Sequence, residues 1–323
     1  MRNVVLFALE NAFISTISGP LEIFSSTGLM WNYLAGEPLD LQFQVTVASL
    51  HGEPIKTRTG LIVQPDTSIF DIEDADLILV TSCGEDIEAA LTHYQSALPW
   101  LRQQHSNGAI LGSICSGLSL IAATGLLDGK SATTHWGMVD IFRKRFPAID
   151  IKADQLFVDE GDIITSGGGF AGNDLALYLV QMFCGKEQSK QCANALLLDT
   201  NRKSQNQFSG ILHHRMHQDD RVQEIQSWLD LHYQDEINLD KLAEKYSMSP
   251  RNFKRRFKLA SGATPLAYLQ KLRIEVAKKL LESSDVQINN IAETVGYLDD
   301  SHFRKIFKRY TALTPSDYRN KNS

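Results

Sequence analysis

Two sets of residues in this sequence have types and spacings that could do chemistry. The first is a cysteine with a histidine. Cys115 lies in Gly112-Ser-Ile-Cys-Ser-Gly117, directly after the apolar run Ala109-Ile-Leu-Gly112 and before a helical stretch that begins past Gly117. That layout predicts a nucleophile elbow, with the thiol at a sharp strand-to-helix turn. Helix N–H groups nearby favour a thiolate, so the thiol pKa is predicted to be lowered. His135, in Ala132-Thr-Thr-His-Trp136, falls at another strand end, where it could face Cys115 and act as a base. The competing reading is that both side chains only line a ligand pocket.

The second set is cationic. Arg251, Lys254, Arg255 and Lys258 stand at i, i+3, i+4 and i+7, and Ser301, Arg304, Lys305 and Lys308 repeat those offsets. Each set falls on one face of a helix. Asn252 and His302 lie beside them in the first turns. A cationic outward face on the second helix of a helix-turn-helix suits the major groove of DNA. The competing reading is a helical bundle with a solvated basic face.

The elements that must position this second set form an internal repeat. Leu239, Leu242, Ala243 and Tyr246 match Ile288, Ile291, Ala292 and Val295. After one extra residue in the turn, Phe253, Phe257, Pro265 and Tyr268 match Phe303, Phe307, Pro315 and Tyr318. Ser249-Pro250 predicts an N-cap followed by proline at the first helical position. In the second copy Gly296 ends one helix, and Asp299 or Asp300 caps the next. Residues 265–282 read as one connecting helix with Leu266, Leu269, Leu272, Val276, Leu280 and Leu281 as its apolar stripe. Its length of roughly 27 Å could hold two recognition helices about one DNA turn apart. Val222, Ile225, Trp228, Leu229 and Tyr233 form the stripe of a preceding helix.

This C-terminal region resembles the AraC/XylS family of transcription regulators. The resemblance rests on Leu242-Ala243, Ser249-Pro-Arg-Asn-Phe253, Phe257, Pro265, Ile291-Ala292, Gly296-Tyr297, Phe303, Phe307-Lys308 and Pro315-x-x-Tyr318-Arg319. It implies double-stranded DNA, a promoter or operator, as the partner, and a role as activator. It also implies that both recognition helices read bases.

The first set needs a different scaffold. Residues 1–185 alternate apolar runs with helical stretches. Strands are predicted at 3–8, 42–50, 76–82, 109–114, 131–134 and 162–165, and helices at 18–34, 86–105, 117–124, 136–146 and 171–184. Runs such as Leu77-Ile-Leu-Val80 are apolar on both faces, as central parallel strands are. The alternation predicts a three-layer α/β sandwich of flavodoxin-like type, with ligands beyond the carboxyl ends of its strands.

Roughly the first 200 residues resemble the class I glutamine amidotransferase-like superfamily in its ThiJ/PfpI branch. The matching residues are Gly19-Pro-Leu-Glu-Ile-Phe24, the Cys115 elbow, Gly125-Leu-Leu-Asp-Gly129, Thr133-Thr-His-Trp136, and Thr165-Ser166 leading to Ala171-Gly-Asn-Asp-Leu-Ala176. Relatives with isonitrile hydratase activity carry an acidic residue three before the Gly-Pro, where this chain has Thr16. Protease-like relatives have histidine directly after the cysteine, where this chain has Ser116. The site is therefore read as degenerate and the protein as no enzyme. The candidate pocket is Thr16, Cys83, Gly84, Cys115, Ser116, His135 and Trp136. Amino acids and quaternary amines are the effector classes the resemblance implies. A cysteine hydrolase or hydratase, and a redox sensor acting through Cys115, are the rival readings.

Gly167-Gly-Gly-Phe-Ala-Gly172 matches G-x-G-x-x-G, but a dinucleotide site needs a further parallel strand after the helix. Residues 186–199 look helical instead, so tight packing explains the glycines and no cofactor is expected. His213 and His217, four apart, offer too few ligands for a metal.

Charge divides the same way. The 323 residues carry a net charge of −6, yet residues 239–323 hold 17 Lys+Arg against 9 Asp+Glu. A basic module joined to an acidic one is the footprint of a regulated DNA binder. The four cysteines are scattered without C-x-x-C, and Val4–Leu9 is too short to span a membrane. A cytoplasmic homodimer is expected, with 1–200 as sensor, 201–218 as linker and 219–323 as the DNA-binding domain. Its two helix-turn-helix units are placed at about 239–260 and 288–310.

Overall fold

A computed structural model describes residues 1–200, 202, 204–205, 212–215 and 217–322. The linker expected at 201–218 falls largely outside the described residues, as does the side chain of His213. The chain divides into two compact units, Met1–Gln205 and Asn206–Ser323.

The first unit is built on a seven-stranded sheet. Its strands are β1 (Arg2–Phe7), β2 (Phe43–Ser49), β3 (Thr67–Ser68), β4 (Leu77–Val80), β5 (Ile110–Ile114), β6 (Phe157–Asp159) and β7 (Ile163–Ser166). The order is β6-β7-β5-β4-β1-β2-β3. All pairs are parallel except β6 with β7. Every residue of Leu77–Val80 is buried, because helices cover both faces of a central strand. Helices α1 (Ser15–Ser26), α7 (Ala171–Cys184) and α8 (Lys186–Ala195) pack together, and α3 (Ile87–His93), α4 (Ala97–Ser106) and α5 (Leu118–Ala123) form a second group. The predicted three-layer α/β sandwich is therefore the observed fold.

Several boundaries differ from expectation, each for a local reason. The helix expected over 18–34 is two, α1 and α2 (Met30–Ala35). Gly28 between them has φ +75°, and a Cβ there would lie 1.9 Å from the Asp40 carbonyl oxygen. The helix expected over 86–105 breaks between α3 and α4, where the ring of Tyr94 turns inward against Phe7 at 5.7 Å. The strand expected at 131–134 is outside the main sheet. Only Ser131–Ala132 is extended, and it pairs with Asp150–Ile151. The helix expected over 136–146 opens as a 3-10 turn and becomes α6 (Val139–Arg145). Strands β3 and β6, two and three residues long, are too short to show a periodicity.

The second unit is all helical: α9 (Asp220–His232), α10 (Leu239–Lys245), α11 (Pro250–Ser261), α12 (Pro265–Ser283), α13 (Ile288–Thr294), α14 (Asp300–Thr311) and α15 (Pro315–Asn322). It has two cores. Phe253, Phe257, Leu242, Ala243, Tyr268 and Leu272 belong to one, and Phe303, Phe307, Ile291, Ala292, Ala277 and Leu281 to the other. Helix α12 serves both, the first core with its N-terminal half and the second with its C-terminal half. Leu266, expected in its apolar stripe, is 51% exposed, and Tyr268, Ile274 and Ala277 take the buried positions instead. Before α9, His214 Nδ1 lies 2.8 Å from the Ser261 carbonyl oxygen, and Arg215 pairs with Asp230.

Candidate nucleic-acid interface and candidate sensor site

The two recognition helices are fixed by caps that the sequence signals. The Ser249 side chain accepts from Asn252 N, and Pro250 follows at the first helical position. Asp299, rather than Asp300, caps α14 and accepts from Ser301 N and His302 N. Phe253 and Phe257 anchor α11 inward, and Phe303, Ile306 and Phe307 anchor α14. Anchoring of those faces leaves Arg251, Asn252, Lys254, Arg255 and Lys258 exposed on α11, and Ser301, His302, Arg304, Lys305 and Lys308 exposed on α14.

The cations are not equivalent. Arg256, beside the outward face of α11, is drawn back to Asp219, which also caps α9. That pairing holds the Asp219 carboxyl below its ordinary range. Lys254 lies 3.4 Å from Asp240, and Arg304 lies 2.7 Å from Asp300. Arg255 donates to the neutral amide of Asn252, and no carboxylate is paired with Arg251, Lys258, Lys305 or Lys308 among the described residues. Two short helices thus each present a capped N-terminus and outward cations.

In the first unit the elbow forms as the sequence predicts. Cys115 follows β5 with φ +59°, a left-handed conformation costly for a residue with a side chain. Its N–H donates to the Gly167 carbonyl at 3.0 Å, and the Thr134 hydroxyl donates to the Cys115 carbonyl at 2.8 Å. Gly117 admits the turn, because a Cβ there would sit 2.3 Å from the Thr81 carbonyl oxygen. The Ser116 hydroxyl is buried and accepts from Cys83 N at 2.9 Å.

The chemistry expected of the elbow is not what its surroundings support. Cys115 is 5% exposed, and burial pushes its thiol up to about 11, opposite to the predicted lowering. Desolvation of a thiolate outweighs the nearby N–H groups here. His135 is half-buried and its pKa is lowered by desolvation. Its Nδ1 accepts from Gly137 N at 3.0 Å, which puts the ring proton of the neutral form on Nε2. No hydrogen bond joins His135 to Cys115 among the described residues, so the expected base is not in place. Thr16 is fully buried, donates to the Phe13 carbonyl at 2.7 Å and sits 3.1 Å from the Ser82 hydroxyl. It ties α1 to the end of β4 and brings no carboxylate. The Trp136 ring lies beside His135 with centroids 5.0 Å apart.

A cavity of about 470 Å³ opens at the carboxyl ends of β1 and β4. Between these strands the connections of the sheet diverge, the place where such folds bind ligands. Of the residues named from sequence, Cys83 and Gly84 line it. Thr16, Cys115, Ser116, His135 and Trp136 are not among its lining. Glu10, Asn11, Arg58, Glu85, Asp86, His93 and Tyr94 are, and sequence reasoning missed them as a group. The available signal was a carboxylate directly past the first strand, Glu10, and the Gly84-Glu-Asp86 run past β4. Arg58 pairs with Glu85 at 2.7 Å and lies over the Phe13 ring. The Tyr94 hydroxyl accepts from Glu10 N at 2.7 Å.

The glycines of Gly167–Gly172 serve packing. A Cβ at Gly168 would strike the His135 ring, and one at Gly172 would press on Ile114. Helix α7 is followed by α8, not by a further parallel strand.

An amidotransferase-like sandwich joined to two capped, cationic helix-turn-helix units defines the class: a DNA-binding transcription regulator with an AraC-type C-terminal domain. The chain belongs to the DJ-1/PfpI family, whose model matches residues 9–182, and a helix-turn-helix domain model matches residues 242–321. It is 28% identical over 98% of its length to the HTH-type transcriptional regulator GbdR of Pseudomonas aeruginosa, covering 84% of that protein. It is 26% identical to the HTH-type transcriptional regulator GlxA of Rhizobium meliloti, over 90% of this chain and 88% of that one. Among solved structures, a ThiJ/PfpI family protein from Pseudomonas syringae superposes with TM-score 0.53 at 20% identity, over 62% of this chain and 76% of that one. That likeness bears on the fold of the first unit. No described helix is long and apolar enough to cross a membrane.

Proposed function

We propose that this protein is a cytoplasmic, homodimeric transcription activator whose first unit senses a small metabolite and whose helices α11 and α14 read an operator. The observation that carries this reading is the pair of phenylalanine-anchored helices that turn Arg251, Arg255, Lys258, Lys305 and Lys308 outward. Effector binding is assigned to the cavity between β1 and β4. Its lining holds Glu10, Glu85 and Asp86 against the single guanidinium of Arg58, which favours a ligand with positive charge. The effector shifts the population of dimers able to hold two half-sites.

Footprinting of the full-length chain on genomic fragments tests the reading. Protection of two segments on one face of the DNA, about 10 base pairs apart for each protomer, is expected. A thermal-shift screen of the same protein against a metabolite library supplies the effector. Absence of any sequence-specific protection, with or without those compounds, would overturn it.

A second reading, a cysteine hydrolase or hydratase, draws on the strained Cys115 elbow. A raised thiol pKa and an unavailable base weigh against it. Consumption of a stabilising compound by the parent and not by Cys115→Ala would put the enzyme first.

A further inference from the structure

The chain leaves the first unit at Gln205, and it leaves it held down. Arg202 pairs with Asp174 and donates to the Phe170 carbonyl at 2.8 Å. The Ser204 hydroxyl donates to the Asp154 carbonyl at 2.7 Å, and Gln205 N donates to that same carbonyl at 2.9 Å.

The Gln205 side chain goes further. It is 3% exposed, an unusual place for an amide at the end of a unit. Its Nε2 donates to the Thr134 carbonyl and the Gln155 carbonyl, both at 2.9 Å, and lies 3.3 Å from the Thr133 hydroxyl. Its Oε1 accepts from Trp136 N at 3.3 Å. The opposite wall is Gly167, where a Cβ would sit 2.5 Å from the Gln205 amide.

Those partners are also the partners of the elbow. Thr134 donates to the Cys115 carbonyl, and Cys115 N donates to the Gly167 carbonyl. Trp136 directly follows His135. A displacement of the Thr133–Trp136 loop, or of the Gly167 backbone, therefore breaks the seat of Gln205.

We propose that Gln205 is a latch: seated, it ties the segment leading to the DNA-binding unit to the loops around Cys115, and its release is the step that passes the sensor's state onward. The seat consists of a few hydrogen bonds exchanged against water, so the two states differ little in free energy and a bound ligand can move the balance. Release of the side chain leaves Gln205 with its main-chain bond to the Asp154 carbonyl, while Arg202 stays paired with Asp174. The proposal rests on the reading of the protein as a regulator.

The test uses full-length protein and the variants Gln205→Ala, Gly167→Ala and the double variant. One change removes the amide, and the other fills its seat while leaving residue 205 intact. Hydrogen–deuterium exchange of the peptides spanning Trp136 and Gln205 is expected to rise about tenfold in each single variant. Exchange over Leu77–Val80 should be unchanged, which controls for folding. Operators mapped by chromatin immunoprecipitation with the parent are then placed before a reporter. Both single variants should shift reporter output at least about threefold in the same direction, and the double variant should match the singles, because both changes empty one seat. Unchanged exchange at Trp136 and Gln205 would overturn the latch. So would faster exchange with parental reporter output, or additive effects in the double variant. Failure of the parent itself to occupy any operator would instead count against the regulator reading.

Discussion

Cys115 shows how one residue can be placed correctly and still be chemically quiet. Its backbone occupies the elbow that Gly112–Gly117 encodes, including the positive φ. Its thiol is surrounded by protein, and the desolvation of a thiolate sets its acidity. Because the folded pKa is raised to about 11, the thiolate is scarce at neutral pH and grows only as pH climbs toward that value. Alkylation by iodoacetamide at pH 8 should therefore modify Cys115 at least about tenfold more slowly than a free thiol peptide, followed residue by residue by mass spectrometry. Equal or faster labelling of Cys115 would restore the reactive-cysteine reading, and with it the redox sensor. The sequence could state the elbow because a strand end, a cysteine and small flanking residues are local. It could not state the burial, which Ser116, Thr134 and the Gly167 segment supply from three parts of the chain.

At the scale of elements, the recognition helices depend on their first turns. Ser249 satisfies one amide of α11, whereas Asp299 satisfies two of α14 and adds a negative charge at the positive end of the helix. Ser249→Ala should cost about 1 kcal/mol of the stability of the helical unit, and Asp299→Ala rather more, up to about 2 kcal/mol. Hydrogen–deuterium exchange of peptides from α9–α15 in the full chain, across a urea series, reads both. A cost near zero for Asp299→Ala would mean that Asp300 takes over the cap. These helices were legible because caps, apolar spacing and charge all agree over a dozen residues. Helices α1–α2 and α3–α4 were less so. Their breaks are set by the turn at Gly28 and by the pull of Tyr94 into the core, and the apolar pattern runs on across both.

For the whole molecule the decisive property is the uneven charge. A net charge of −6 would repel DNA if it were spread evenly, but the helical unit carries a positive balance and directs it outward. Operator affinity should then fall by roughly a thousandfold between about 50 and 200 mM salt, if some six phosphates are neutralised. Arg255→Ala and Lys305→Ala should each weaken binding and relax specificity, with a loss of about 1–3 kcal/mol where the side chain meets a base. Fluorescence anisotropy with labelled operator across a salt series measures both effects. Parental affinity and parental salt slope in both variants would move the recognition surface away from α11 and α14.

The sequence by itself determined the two-part organisation, the repeat of helix-turn-helix units, the parallel sandwich and the position of the elbow. Each of these is written in neighbouring residues: periodic apolar positions, caps, turn residues and blocks of charge. Only the tertiary structure decided where the cavity lies, which carboxylates line it, that His135 turns its Nδ1 to Gly137, and that Gln205 closes over Thr133–Trp136. Those features join residues from Glu10 to Gln205, and a contact between distant segments leaves no period or spacing in the chain, because it is made by packing and not by local conformation.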